Sequence, residues 1–209
     1  MKYPTLPIGD GDGLPFSKVE KIFGFLEDEQ AVVNDATIQS LWSPYVPYFG
    51  DQESPNLEGV ELRCRLIGYD TQETPKPGDS SLNVVQHFWK NGKDFLIDEL
   101  NQLKGGRSPE VCKLLVDAYG IDVYHRLLID VRGVFEVYQQ DLEPQLHRFE
   151  LAEKALGSGF AFPTANYFTN ENLMESFHHA IETKQGGFAD GAASFIHPLL
   201  CRKGEENLM

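Results

Sequence analysis

The chain has 209 residues, 41% of them hydrophobic, and sets 32 acidic side chains against 18 basic ones, a net charge of −14 with neutral histidine. That length suits one domain with a single core, and the apolar fraction excludes a disordered chain. The charge excludes tight non-specific gripping of a polyanion, which calls for a basic surface, and no apolar run reaches the length of a membrane span.

Several chemistries are also excluded. The six histidines show neither HExxH nor paired-cysteine zinc spacing. No G-x-S-x-G elbow supports acyl transfer, and no Rossmann glycine pattern follows a strand. The three cysteines are odd in number and lie far apart. Cys64 and Cys112 fall in predicted strands, where buried free thiols are expected. With no apolar stretch in residues 1–14 to serve as a secretory signal, these thiols point to a cytoplasmic protein.

In chain order, residues 1–18 read as an irregular lead-in, with the glycine-rich acidic turn Gly9-Asp10-Gly11-Asp12-Gly13 inside it. That turn lacks the downstream bidentate glutamate of a helix–loop–helix calcium site. Val19–Leu26 and Gln30–Trp42 read as two strands joined at Glu27-Asp28-Glu29. Residues 43–58 are an insertion with three prolines and the aromatics Tyr45, Tyr48 and Phe49, suited to packing or to base stacking. Residues 59–69 form the central strand, with Leu62, Cys64 and Leu66 on one face and Arg63 and Arg65 on the other. A helix follows from Ser80 or Ser81 to Lys104, its apolar stripe interrupted once at Asn91-Gly92, and Gly105-Gly106 ends it. Strands are expected over Pro109–Asp117 and Tyr124–Arg132, with a turn at Ala118–Ile121 and a break at Gly133. Two further helices are expected, over Pro144–Leu156 and from the cap Asn170 to Gln185. A tail covers residues 187–209.

The stretch Arg65-Leu66-Ile67-Gly68-Tyr69-Asp70-Thr71-Gln72-Glu73-Thr74 carries the chemistry. A strand end and one turn bring together a guanidinium, a hard oxygen ligand and a carboxylate base. With a divalent metal, that set can cleave a phosphodiester. Asp122-Val123-Tyr124-His125-Arg126 adds a second arginine and an aromatic ring at the start of another strand.

Together, Arg-Leu-Ile-x-x-Asp-Thr-x-Glu-Thr and Asp-x-Tyr-x-Arg resemble the staphylococcal nuclease (thermonuclease-like) family, over residues 19–185. The resemblance implies an α+β domain over residues 19–186. Its core would be a five-stranded Greek-key barrel of the oligonucleotide-binding (OB-fold) type, with one inserted helix and two C-terminal helices. It implies a monomeric, Ca²⁺-dependent nuclease acting on DNA or RNA. Arg65 and Arg126 would grip the phosphate, Glu73 would activate water, and Tyr124 would contact the nucleotide. Asp70, the Thr71 carbonyl and a second aspartate would hold the ion. Asp35, in Asn34-Asp35-Ala36, is favoured for that second place because a strand precedes it. Asp12 fits the letter of the Asp-Gly-Asp motif but follows a proline-broken stretch. Val123 stands where the family carries a lysine, which implies a weaker hold on substrate. The alternative function is a non-catalytic nuclease-like binding or scaffold module. It would be favoured if neither Asp35 nor Asp12 lay near Asp70.

Overall fold

In the computed structural model, the described residues are 1, 3, 8–9, 11–18, 61–71, 82–121, 126–139, 141–164 and 170–189. Six strands and three α-helices follow in the order β1 (Gly13–Lys18), β2 (Glu61–Leu66), β3 (Tyr69–Thr71), α1 (Leu82–Lys104), β4 (Cys112–Ile121), β5 (Leu127–Glu136), α2 (Glu150–Gly157), β6 (Ala161–Pro163) and α3 (Glu171–Glu182). Single turns of 3₁₀ helix at Pro109–Val111 and Gly186–Phe188 lead into β4 and close the described C-terminus.

The strands form two open sheets. One has the order β1-β2-β5-β4, and the other pairs β3 with β6. The barrel expectation is therefore corrected. Among the described residues, β1 and β4 are the outer strands of the four-stranded sheet and are not joined to each other. The chain leaves that sheet after β2 instead of continuing round it. Gly68 makes the exit, at φ +93°, a left-handed conformation that a residue with a Cβ adopts only under strain. A Cβ there would also stand 3.1 Å from both Ala152 Cβ and Leu173 Cδ1, so the turn lies directly on α2 and α3. The strands expected over Val19–Leu26 and Gln30–Trp42 lie outside the described residues, as does the insertion over 43–58.

Two other boundaries move for physical reasons. The lead-in contains β1, which pairs antiparallel with β2 through Gly13↔Arg65 and Leu14↔Cys64, then shifts register before Ser17↔Leu62. Pro15 sits at that irregularity on an outer strand, where a residue lacking an N–H is tolerated. Likewise β5 runs through Gly133 without ending. The register of β4 against β5 shifts between Leu115 and Val116, so a bulge absorbs the glycine.

Other local signals hold. The helix after the site turn runs through Asn91-Gly92 unbroken and stops at Gly105, at φ +62°. Asn170 caps α3, its Oδ1 accepting the Leu173 N–H at 2.9 Å. Cys64 and Cys112 are buried free thiols, and burial pushes the Cys64 thiol up to about 12. The core lies between the four-stranded sheet and the helices: Leu66, Ile129 and Val131 of the sheet share one buried cluster with Leu96 and Leu100 of α1 and with Leu151, Leu156 and Leu173 of α2 and α3. The outer edge of β4 is covered in part by the first residues, through Leu114 N–H to Met1 O at 2.6 Å and the Met1 ammonium to Leu114 O at 2.9 Å. No helix among the described residues is long and apolar enough to cross a membrane.

Candidate functional site

Arg65 lies near the end of β2 and is 2% exposed, a depth at which a guanidinium requires charged partners. Two carboxylates meet it. Its Nη2 lies 2.9 Å from Asp70 Oδ1 and 3.4 Å from Asp12 Oδ2. Its Nη1 donates to Asp12 Oδ1 at 3.4 Å. Asp12 is buried at 2% and Asp70 at 9% exposure. The two acids reach the same arginine from different strands. Asp12 immediately precedes β1, whose Gly13 is level with Arg65, and Asp70 stands on β3 just past the Gly68 turn.

The Asp12 turn is held on several sides. Its carboxylate Oδ2 accepts the Thr71 N–H at 2.8 Å, and its main-chain carbonyl accepts the Leu66 N–H at 2.8 Å. The Gly11 N–H donates to Thr71 Oγ1 at 3.1 Å, and the Tyr69 hydroxyl donates to the Gly11 carbonyl at 2.9 Å. Most of these partners are neutral backbone and hydroxyl groups. They position the carboxylate without cancelling its charge, and Arg65 supplies a cation to both acids.

Of the residues expected from sequence, Arg65, Asp70 and Thr71 come together here. Asp12, the less favoured candidate, joins them. Asp35, Glu73 and Tyr124 lie outside the described residues. Arg126 is half-buried and immediately precedes β5, which runs parallel to β2 with Cys64↔Leu127 and Arg65↔Leu128. By that register it falls on the same sheet face as Arg65, one strand over and about 7 Å back along the strand direction. The Asp10-Gly11-Asp12 spacing is the sequence sign that points to Asp12, and the prolines around it count against it.

Asp12 and Asp70 offer oxygen donors only, a set that suits a hard divalent cation and not zinc or copper. Both carboxylates stand at one guanidinium, so their oxygens are gathered in one place. Among the described residues, no group of three His, Cys, Asp or Glu side chains converges.

No protein-family model matches this sequence, and no curated protein matches it.

Proposed function

We propose that the chain is a divalent-cation-dependent, Ca²⁺-using phosphodiester hydrolase acting on DNA or RNA. The observation that carries this reading is the convergence of Asp12 and Asp70 on buried Arg65 at 3.4 and 2.9 Å. Carboxylates from two separate strand ends share one guanidinium. That arrangement meets the condition under which the catalytic reading is preferred to a binding module: an aspartate from the first motif lies beside Asp70.

Asp12, Asp70 and the Thr71 carbonyl are the groups that would hold the cation. When bound, Ca²⁺ supplies positive charge against the phosphate oxygens, which a chain of net charge −14 otherwise repels. Arg65 donates to Asp12 and forms an ion pair with Asp70. Its planar fork is the group that would donate two parallel hydrogen bonds to a phosphate and stabilise the charge that develops there. Arg126 approaches the same sheet face from β5. Glu73 follows the site turn by sequence and takes the proton from the attacking water. Tyr124 contacts the nucleotide.

The test is cleavage of single-stranded and duplex DNA, and of RNA, with Ca²⁺ and then with chelator. Glu73→Gln and Arg126→Gly should each lower kcat by at least about a hundredfold with the fold intact, the scale of removing a general base or a transition-state donor. Asp12→Asn should weaken Ca²⁺ dependence strongly, and Asp35→Asn should not. If the folded wild type cuts nothing under any divalent metal, the binding or scaffold module becomes the better reading.

A further inference from the structure

The Asp12 turn touches α1 by backbone against backbone. A Cβ built on Gly11 would stand 2.5 Å from both the carbonyl carbon and the carbonyl oxygen of Gly92, and 2.9 Å from Thr71 Cγ2. Gly11 is not among the residues with positive φ, so its dihedrals do not call for glycine. The close approach alone calls for it. On the other side of the contact, Gly92 is buried in the middle of α1, where glycine is a poor helix former. A Cβ on Gly92 would meet Thr71 Cβ and Cγ2 at 3.4 Å and Phe160 O at 3.5 Å, ordinary contacts. Two glycines far apart in sequence thus meet at the back of the turn that carries Asp12, and the Thr71 side chain fills the wedge between them.

We infer that the Gly11–Gly92 crossing is a positioning device for the candidate cation site, with α1 as the fixed surface that sets how far the Asp12 carboxylate stands from Asp70. This inference rests on the reading of Asp12 and Asp70 as cation ligands and adds the residues that set their spacing. A methyl group on Gly11 needs roughly 1 Å more room than the crossing leaves, since non-bonded carbons settle at about 3.5–4.0 Å. The helix backbone cannot yield, so the turn moves, and Asp12 moves with it. Oxygen ligands must lie within a few tenths of an ångström of their distance from the ion, so a shift of that size is felt as lost affinity.

The experiment is a calorimetric Ca²⁺ titration of the full chain and its variants, with thermal unfolding in chelator run beside it. Gly11→Ala should weaken Ca²⁺ binding at least tenfold. Gly92→Ala, whose methyl fits, should keep affinity within about threefold and unfold at an equal or higher temperature in chelator. Gly92→Leu presses on Thr71 from the helix side and should reproduce the loss should Gly11→Ala fail to fold. A merely structural role would lower the unfolding temperature in chelator and leave the affinity of the folded protein unchanged. That result, in Gly11→Ala or Gly92→Leu, overturns the inference alone. A wild type that binds no Ca²⁺ overturns the cation reading beneath it.

Discussion

Asp130 shows how one buried group makes this protein sensitive to pH. It lies on β5, is 3% exposed, and its Oδ2 accepts the Phe149 N–H at 2.8 Å where the chain turns into α2. Burial pushes its carboxyl up to about 7. The charge of Asp117 adds to that push, while the Phe149 N–H, Arg132 and His147 act against it. Because the folded value lies above the usual 3.8, the folded chain holds this proton more tightly than the unfolded chain does. The stabilisation is complete below about pH 4 and is lost as the pH rises toward 7, by up to about 1.4 kcal/mol per pH unit. Urea unfolding at several pH values checks this. Asp130→Asn keeps an acceptor for Phe149 without the charge, so it should flatten the slope relative to wild type between pH 4 and 7. Parallel curves would show that Asp130 ionises normally. At the same scale, Asp12 and Asp70 were both visible in sequence as aspartates in motif-like spacing. Their sharing of Arg65 was not, because Asp12 and Arg65 are 53 positions apart and meet only through the pairing of β1 with β2.

Among the elements, the Gly68 turn does most to shape the site. It ends β2 and leads the chain into β3, which pairs with β6, and so brings Asp70 to Arg65. Its left-handed φ and its 3.1 Å approach to Ala152 and Leu173 act together. Gly68→Ala should therefore destabilise the fold by about 2–3 kcal/mol, most of it strain at a conformation that alanine avoids. For a chain of this size that is a fall in melting temperature of about 5–10 °C. A change of under 1 °C would mean that the turn relaxes freely. Helix ends were legible because their signals are local: the Asn170 cap of α3 and the Gly105 stop of α1 depend on hydrogen bonds a few residues long. The start of α2 was not, since Phe149 sits at φ +63° with no side-chain cap of its own and is held by Asp130 from another strand. Nor was the reason for a glycine in the middle of α1. A glycine in a helical pattern reads as an interruption until the backbone that packs on it is known.

For the whole molecule, the net charge of −14 governs encounter with a polyanion. Raising salt from about 10 to about 150 mM shortens the Debye length from about 30 to about 8 Å and screens that repulsion. On the proposed nuclease reading, kcat/KM on a duplex oligonucleotide at saturating Ca²⁺ should therefore rise with salt across this range. A steep fall would show that a local basic surface, and not the net charge, controls approach. The fold at this scale departs from the expected closed barrel. The sheet order β1-β2-β5-β4 mixes antiparallel and parallel neighbours, and β3 leaves it to pair with β6.

By itself the sequence determined the charge, the central strand with its buried Cys64 and Leu66, the extent of α1 and α3, and the proximity of Arg65, Asp70 and Thr71. All of these follow from neighbours within a few residues or from simple summation. Tertiary structure alone decided that β1 arises within the proline-rich lead-in, that Asp12 and Asp70 meet at Arg65, that two glycines let α1 seat the Asp12 turn, and that the described strands form two open sheets. Each of those depends on contacts between segments tens of residues apart. Periodicity carries no register between distant strands, and a glycine or proline in sequence does not disclose what lies against it in space.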